Sequence, residues 1–234
     1  MSKSKKTRNQ GHERSIASYD RVIGKRSPGR CILIVCEGAE TEPNYFEELR
    51  KCLKLSIIQV KVKERGGAPI SLVDTARHLV EQRRKEVRDG KLRICNYEAV
   101  WCVFDVENPR NNTSFNDAVN QADSNQFSLA ISNPAFEFWY VLHFEDTSRP
   151  FADGRELKKY LEKFIPGYCE TSPVFCKIKE NTLLAIKRAK KTNQNSSVDR
   201  RFPNPSSGVY EIVEELIKMS PSGSDHLLKQ SDDS

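Results

Sequence analysis

The sequence predicts an α/β fold in which a parallel sheet is flanked by helices and followed by a mostly helical C-terminal extension. Two short apolar runs, residues 31–36 and 99–104, have the composition of strands that are buried on both faces. Helical patterns alternate with such runs as far as residue 146, and this alternation predicts parallel strands joined by right-handed crossovers. Beyond Asp146 the sequence shows helical patterns and polar links.

The first apolar run leads into a tight turn and a helix. Gly38 permits a sharp turn that a residue with a Cβ would resist. Thr41 is expected to cap the helix that follows, with Glu42 and Pro43 in its first turn. The predicted order is therefore strand, tight turn, helix.

Three carboxylates crowd the end of this first strand, which is the edge where open α/β sheets bind their ligands. Glu40 and Glu42 lie at the start of the helix, and the helix dipole is a sufficient explanation for both. Glu37 precedes the helix and directly follows a buried strand, so a functional role is the better interpretation for it.

The second apolar run also ends in acidic residues, Asp105 and Glu107. Residues two apart point to the same side of an extended chain, so these carboxylates share one side of the sheet edge. If the two strands are parallel neighbours, Glu37 joins them. Three close carboxylates repel each other unless a proton or a cation intervenes, and an oxygen-only ligand set suits Mg²⁺ or Mn²⁺.

The remaining elements follow from periodicity. Alternating residues over 56–63 predict a strand near an edge of the sheet. Apolar positions at helical spacing predict the helices. The expected elements are a long helix over 70–87, a short helix over 115–123 capped by Ser114, a strand over 127–131, a helix opened by Pro134, and helices over 156–164, 178–191 and 209–217.

The helix after Pro134 is rich in aromatic residues and carries two polar exceptions. Glu137 lies among aromatics close to the carboxyl end of a strand, and a buried acid needs a partner such as a metal ion or a cation. His143 is expected to bond a carbonyl oxygen in the core.

Composition and charge limit the class of protein. The 234 residues carry a net charge of +6, a moderate basic bias that suits a polyanionic partner but is also common in other proteins. No apolar window is long enough to cross a bilayer, and the basic N-terminus lacks the apolar core of a secretory signal. We therefore expect a cytoplasmic protein without a membrane partner.

The seven cysteines are odd in number, and no two form a Cys-x-x-Cys pair. They are expected to be reduced small hydrophobes rather than a disulfide framework or a zinc site. In particular, Cys31, Cys36 and Cys102 lie in apolar runs and are predicted to be buried free thiols.

Four segments follow from these patterns. Residues 1–29 form a basic arm with few apolar anchors, and 30–146 form the α/β domain. Residues 147–219 form the helical extension packed on it, and 220–234 are expected to be a disordered tail.

Two features resemble the Toprim domain of topoisomerases, primases and related nucleases: a strand that ends in Glu-Gly, and a later strand that ends in Asp-x-Asp or Asp-x-Glu. Three longer segments resemble the RloB family, which is Toprim-like and bacterial, and the likeness covers about residues 15–218. The segments are Val35-Cys-Glu-Gly-x-x-Thr-Glu-Pro-x-Tyr-Phe46, Ser132-Asn-Pro-Ala-Phe-Glu-Phe-Trp-Tyr-Val-Leu-His-Phe144 and Asn204-Pro-Ser-Ser-Gly-Val209.

The resemblance implies a Mg²⁺- or Mn²⁺-dependent nuclease that serves as the effector of a bacterial anti-phage system and has an AAA-type ATPase as its partner. The implied catalytic residues and metal ligands are Glu37, Asp105 and Glu107, although the more usual motif has Asp in place of Glu107. Glu40, Glu42 and Glu137 form a second tier of catalytic candidates. The substrate would be DNA or RNA, tRNA included.

Basic side chains on the arm, in the loop after the second acidic motif and at the end of a C-terminal helix are the candidate contacts to nucleic acid, because phosphates bind Lys and Arg without regard to sequence. These residues are Lys3, Lys5, Lys6, Arg8, Arg110, Lys187 and Arg188.

Two other functions remain open. In one, the acids are structural and the chain is a binding or regulatory subunit of an ATPase-containing defence complex. In the other, the chain is a receiver-like phosphoacceptor, which the basic charge and the Glu-Gly turn disfavour.

Overall fold

A five-stranded sheet lies at the centre of the part of the chain that the computed structural model describes, residues 30–56, 58–62, 69–90, 95–106, 113–194 and 202–228. The strands are β1 (Ile32–Cys36), β2 (Ile58–Val62), β3 (Ala99–Asp105), β4 (Ser128–Asn133) and β5 (Ser206–Ser207). Their order is β2-β1-β3-β4-β5, in which the first four are parallel and β5 is antiparallel to β4. The predicted α/β fold is confirmed, and β2 is at an edge as expected.

Helices cover both faces of the sheet. They are α1 (Thr41–Cys52), α2 (Pro69–Arg88), α3 (Thr113–Ser124), α4 (Glu137–Phe144), α5 (Gly154–Leu161), α6 (Phe175–Ile178), α7 (Thr182–Gln194), α8 (Val209–Met219) and α9 (Asp225–Leu228). A 3-10 turn, Lys179–Asn181, separates α6 from α7. None of the helices in the described ranges is both long and apolar enough to cross a bilayer.

Several helix boundaries differ from the expectations. Thr41 is the first residue of α1, and Glu40 takes the cap position without a side-chain hydrogen bond. Thr41 is buried, and its carbonyl oxygen accepts from the hydroxyl group of Tyr140 at 3.3 Å. Pro134 precedes α4 by three residues, and the helix expected over 178–191 is divided by the 3-10 turn. Local sequence does not carry these tertiary contacts, so helix ends are poorly defined by it.

Strand alternation divides the interior into two cores. On β1, Ile32 and Ile34 face one core while Leu33 and Val35 face the other, and all four are fully buried. The first core is closed by α1, α4 and the C-terminal helices, and the second by α2 and α3. Because both faces of the sheet are covered, its strands can be apolar throughout.

The segment Asn204–Val209 ties the C-terminal helices to the sheet. Asn204 pairs with the backbone of Phe151, accepting from its N–H at 3.1 Å and donating to its carbonyl oxygen at 2.7 Å. A Cβ on Gly208 would lie 3.0 Å from the backbone nitrogen of Ile131, so glycine permits the close approach of β5 to β4. These residues of the third family-like segment therefore have a structural explanation.

Other expectations about buried residues can be compared with the structure. All seven cysteines are free thiols, and Cys31, Cys36 and Cys102 are buried, as predicted. His143 is buried, its Nδ1 lies 2.8 Å from the carbonyl oxygen of Trp139, and burial lowers its pKa to about 3. It is therefore a neutral core histidine.

The two ends of the chain differ in what the structure describes. Residues 1–29, which include Lys3, Lys5, Lys6 and Arg8, lie outside the described residues. Residues 220–228, expected to begin a disordered tail, are folded. Ser220 donates to the carbonyl oxygen of Leu53 at 3.2 Å, and Leu227 of α9 is fully buried in the first core. One buried leucine is enough to dock this segment on the core. The mainly polar composition of the segment therefore led to the wrong expectation of disorder.

Leu227→Ala should lower the free energy of unfolding by about 2–4 kcal/mol, because it removes a fully buried side chain from the core. The matched control is Leu228→Ala, since Leu228 is the next residue and is 55% exposed; it should be nearly neutral. Urea denaturation of both variants is the measurement, and equal effects would show that α9 does not dock as described.

Candidate catalytic cleft

The ends of β1 and β3 meet at one edge of the sheet, as the sequence predicted. Cys36 is paired with Val103, and the N–H of Glu37 donates to the carbonyl oxygen of Val103 at 3.0 Å. Asp105 is paired with Ser132 of β4. A cleft of about 1400 Å³ lies over this edge, between the turn after β1, α3, the segment before α4, and α5.

The described lining of the cleft is strongly acidic. Seven carboxylates line it, against two cationic side chains. The acids are Glu37, Glu40, Glu42, Asp105, Glu137, Asp153 and Glu170, and the cations are Arg155 and Lys158. Five of the sequence-predicted candidates are therefore brought together here. Glu107 and Arg110 lie outside the described residues.

Asp105 occupies an unusual position at the base of the cleft. Its Oδ1 is buried and has no hydrogen-bond partner among the described residues. Burial, and then the charges of Glu42 and Glu137, hold the pKa of Asp105 well above its usual range. An unpaired carboxylate oxygen in such a place is a polar group that folding alone does not satisfy.

Strand alternation explains which acids surround Asp105. Trp101 and Val103 face the core closed by α1 and α4, so Asp105, two residues further, follows them to that side. Glu42 on α1 and Glu137 on α4 lie there. Glu37 shares the edge but comes last among the charges that raise the pKa of Asp105.

Glu42 is the second buried acid of the cleft. It is 5% exposed, and its Oε1 accepts from the N–H of Gly38 at 3.2 Å. Burial raises the pKa of Glu42 to about 7, and the charges of Glu137 and Glu37 add to the effect. Near neutral pH this carboxyl group therefore exchanges a proton readily, which is the property of a general acid or base.

Gly38 is needed for a reason other than backbone conformation. A Cβ at this position would lie 2.7 Å from Oε1 of Glu42, closer than real Cβ contacts. Its φ is not among the positive ones, so the sharp-turn argument is replaced by one of close approach. Gly38 of the Glu-Gly pair thus leaves room for the carboxylate of Glu42.

Glu137 is 3% exposed and has the cationic partner that its burial requires. The hydroxyl group of Tyr168 donates to its Oε1 at 3.0 Å, and Nζ of Lys158 lies 3.7 Å from the same atom. Lys158 also pairs with Glu170 at the rim. Sequence reasoning did not identify Lys158 or Tyr168, because both lie in the extension and no motif marks them.

The remaining sequence candidates occupy different positions. Glu37 is half-buried and Glu40 is exposed at the rim of the cleft. Lys187 and Arg188 lie on α7, which is not part of the cleft lining. Arg188 donates to the carbonyl oxygen of Leu142 at 2.8 Å and so stabilises the end of α4, whereas Lys187 is exposed. Their contact with nucleic acid stays a prediction.

The donor chemistry fits a hard divalent cation, since carboxylate oxygens are the ligands that Mg²⁺ and Mn²⁺ prefer and one of them is unpaired. Within the described residues, no group of three His, Cys, Asp or Glu side chains is close enough to hold a metal ion as it stands. Asp105 and Glu37 are the residues that would hold one, with Glu107, which lies outside the described residues, as the third ligand predicted from the sequence. The shared cation therefore stays a prediction.

Gly38→Ala should displace the carboxylate of Glu42 and lower the free energy of unfolding by roughly 1–3 kcal/mol, the usual effect of overpacking. Denaturation of the variant measures this loss. The double variant Gly38→Ala with Glu42→Ala is the control, because it removes the clashing group. If the two changes are simply additive, the side chains do not oppose each other.

The raised pKa of Glu42 predicts how stability depends on pH. The neutral carboxyl group is favoured in the folded state, so its stabilising effect is complete below the ordinary value of 4.5 and is lost as the pH rises to about 7. In EDTA, the protein should lose at most about 3 kcal/mol of stability through this group across that range.

Glu42→Gln should therefore match the wild type at pH 5 and exceed its melting temperature at pH 8, because the amide mimics the neutral form. The exposed Glu40→Gln should leave the difference between the two pH values unchanged. Parallel pH profiles for the wild type and Glu42→Gln would contradict the assignment.

Comparison with known proteins supports the family resemblance seen in the sequence. The family model described as RloB-like protein matches residues 32–216, which include all five strands and helices α1 to α8 except the last residues of α8. No curated protein and no solved structure matches the chain. Because the matched range covers most of the chain, this protein belongs to the RloB-like family.

Proposed function

We propose that this RloB-like protein is a divalent-metal-dependent nuclease that hydrolyses phosphodiester bonds of DNA or RNA. As its family likeness implies, it would act as the effector subunit of a bacterial anti-phage system, with an AAA-type ATPase as its partner. The observation that carries the proposal is the buried, unpaired Oδ1 of Asp105 among other acids at the carboxyl edge of a parallel sheet.

The charge of the cleft favours a bound cation. A phosphodiester is an anion, and seven carboxylates would repel it unless positive charge intervenes. Protonation of Asp105 and Glu42 reduces the repulsion without a ligand, as their raised pKa values indicate. A divalent cation would reduce it further and would attract the phosphate.

We assign the roles of the residues by their positions. Asp105, Glu37 and Glu107 are assigned to hold the ion, and a bound Mg²⁺ or Mn²⁺ would polarise the phosphoryl oxygen and lower the pKa of an attacking water. Glu42, whose pKa is about 7, is suited to take the proton from that water. Lys158, held by Glu137 at one side of the cleft, is placed to bind a phosphate oxygen.

Hydrolysis is favoured over strand transfer and rejoining. No tyrosine is among the described residues that line the cleft, and the hydroxyl group of Tyr140 is buried and donates to the carbonyl oxygen of Thr41. A covalent link to the strand needs an exposed nucleophile. Water is therefore the proposed nucleophile.

A binding or regulatory subunit is the second candidate function. It is favoured by the lack, within the described ranges, of three ligating side chains close enough to hold a metal ion. In that case the acids would be neutralised by protons, and the cleft would bind a basic segment of another protein.

Asp105→Asn separates the two functions. The enzyme proposal predicts at least about a hundredfold loss of cleavage, because an amide neutralises no cation charge. It also predicts a melting temperature in EDTA that is equal to or above that of the wild type, since repulsion with Glu42 falls, and no further rise on adding Mg²⁺ or Mn²⁺.

The assay uses labelled DNA and RNA with the protein alone and with its ATPase partner, in Mg²⁺, Mn²⁺ or EDTA. Asp123→Asn is the matched control, because Asp123 is exposed on α3 and does not line the cleft. Cleavage that survives Asp105→Asn, or a variant that fails to fold, would exclude Asp105 as a metal ligand.

A further inference from the structure

The described lining of the cleft is divided by charge. The side formed by the β1 turn, the first turn of α1, α4, and α5 with its flanking residues carries six of the seven carboxylates and both cations, and the seventh, Asp105, lies at the base. The opposite wall, formed by α3 and the segment before β5, has no charged side chain among the lining residues that the structure describes. That wall consists of Phe115, Asn116, Val119, Asn120 and Phe202.

The aromatic part of this wall is held in place. The rings of Phe115 and Phe202 meet edge to face, with centroids 5.5 Å apart and planes at 83°. The side chain of Asn133 donates to the carbonyl oxygen of Phe202 at 3.1 Å and fixes the backbone there. Phe115 is buried while Phe202 is only partly buried, so Phe202 offers ring surface to the cleft.

The polar part of the wall is one face of α3. Asn116 and Asn120 are four residues apart, which places both amides on the same side of the helix. Both are exposed, and neither side chain has a hydrogen bond within the described part of the chain. Each amide offers two donor hydrogens and an acceptor oxygen, the groups that recognise the edge of a nucleobase.

We propose that this wall, Phe115, Asn116, Val119, Asn120 and Phe202, binds one unpaired nucleobase next to the phosphate held at the acids. The inference rests on the proposed nuclease function and specifies its substrate class, a single strand or an unpaired loop. A nucleotide has the same division as the cleft, with a charged phosphate on one side and an uncharged, flat base with a polar edge on the other.

A duplex does not match this wall. Its bases are stacked and their pairing edges are occupied, so an aromatic ring and two amides would have no base to contact. An unpaired base can turn away from the strand, stack on an aromatic side chain and expose its pairing edge. We therefore expect preference for single-stranded over duplex substrate of the same sequence.

The test combines variants of the wall with abasic substrates. Cleavage of a single strand is measured for the intact strand and for strands in which one base at a time has been removed, in DNA and in RNA. One position beside the cut should be sensitive, with about a fivefold to tenfold loss of kcat/KM when its base is missing.

The double variant Asn116→Ala with Asn120→Ala, and separately Phe202→Leu, should cause a similar loss on the intact strand and almost none on the strand that lacks the sensitive base. This non-additivity is the signature of a direct contact. The controls are Asn96→Ala, exposed and outside the cleft, and Phe164→Leu, whose ring stacks on Phe144. If Phe202→Leu fails to fold, the asparagine double variant still tests the proposal. It changes only exposed side chains and should therefore preserve the fold.

The outcomes distinguish this inference from the nuclease proposal. Cleavage with no sensitive position, with equal rates on duplex and single strand, or with additive effects would overturn the base site and leave the nuclease in place. If no substrate is cleaved, the nuclease proposal fails, and binding of the same labelled strands with Ca²⁺ decides the base site. Binding that is absent, or that is unchanged by base removal, would overturn it.

Discussion

The whole site depends on carboxyl groups that are gathered at the carboxyl edge of the sheet, where Glu137 has a cationic partner and Oδ1 of Asp105 has no hydrogen-bond partner among the described residues. β1 and β3 end side by side, and Asp105 at the end of β3 is partly buried, with its Oδ1 shielded from solvent. Glu42 is held beside it by the helix that the β1 turn begins. Such an arrangement costs stability, and groups with shifted pKa values of this kind are concentrated at functional sites.

The residues that give the chain its family character have two kinds of task. Glu42, Asp105 and Glu137 supply the charge of the cleft. Asn204 and Gly208 bond or approach backbone and so fix the geometry of the segment around them. A substitution of either kind would impair the protein, but only loss of the first kind would leave the fold intact while changing its chemistry.

The sequence predicted the sheet, its parallel pairing and the edge at which the acids gather. These features follow from the apolar composition of the strands, which indicates that they are buried, and from the alternation of strands and helices along the chain. It did not predict that Glu42 and Glu137 would raise the pKa of Asp105 more than Glu37 does. That outcome is decided by pairing register, because a shift of one residue moves a side chain to the other face, and register is set by tertiary contacts.

Lys158 and Tyr168 were missed for a related reason: they reach Glu137 from a distant part of the chain. The folded segment at 220–228 was missed because a single leucine anchors it.

The first core joins parts of the chain that are far apart in sequence. Leu216 of α8 packs in the same cluster as Ile32 and Ile34 of β1, and Ser220 bonds Leu53, 167 positions before it. Contacts of this range form late in folding, because a long loop must close before they contribute. A chain still being synthesised can therefore possess both acidic strand ends without the core that presses them together. The cleft should take shape only after α8 and α9 have left the ribosome, so the acidic edge of the sheet is completed only when most of the chain has been synthesised.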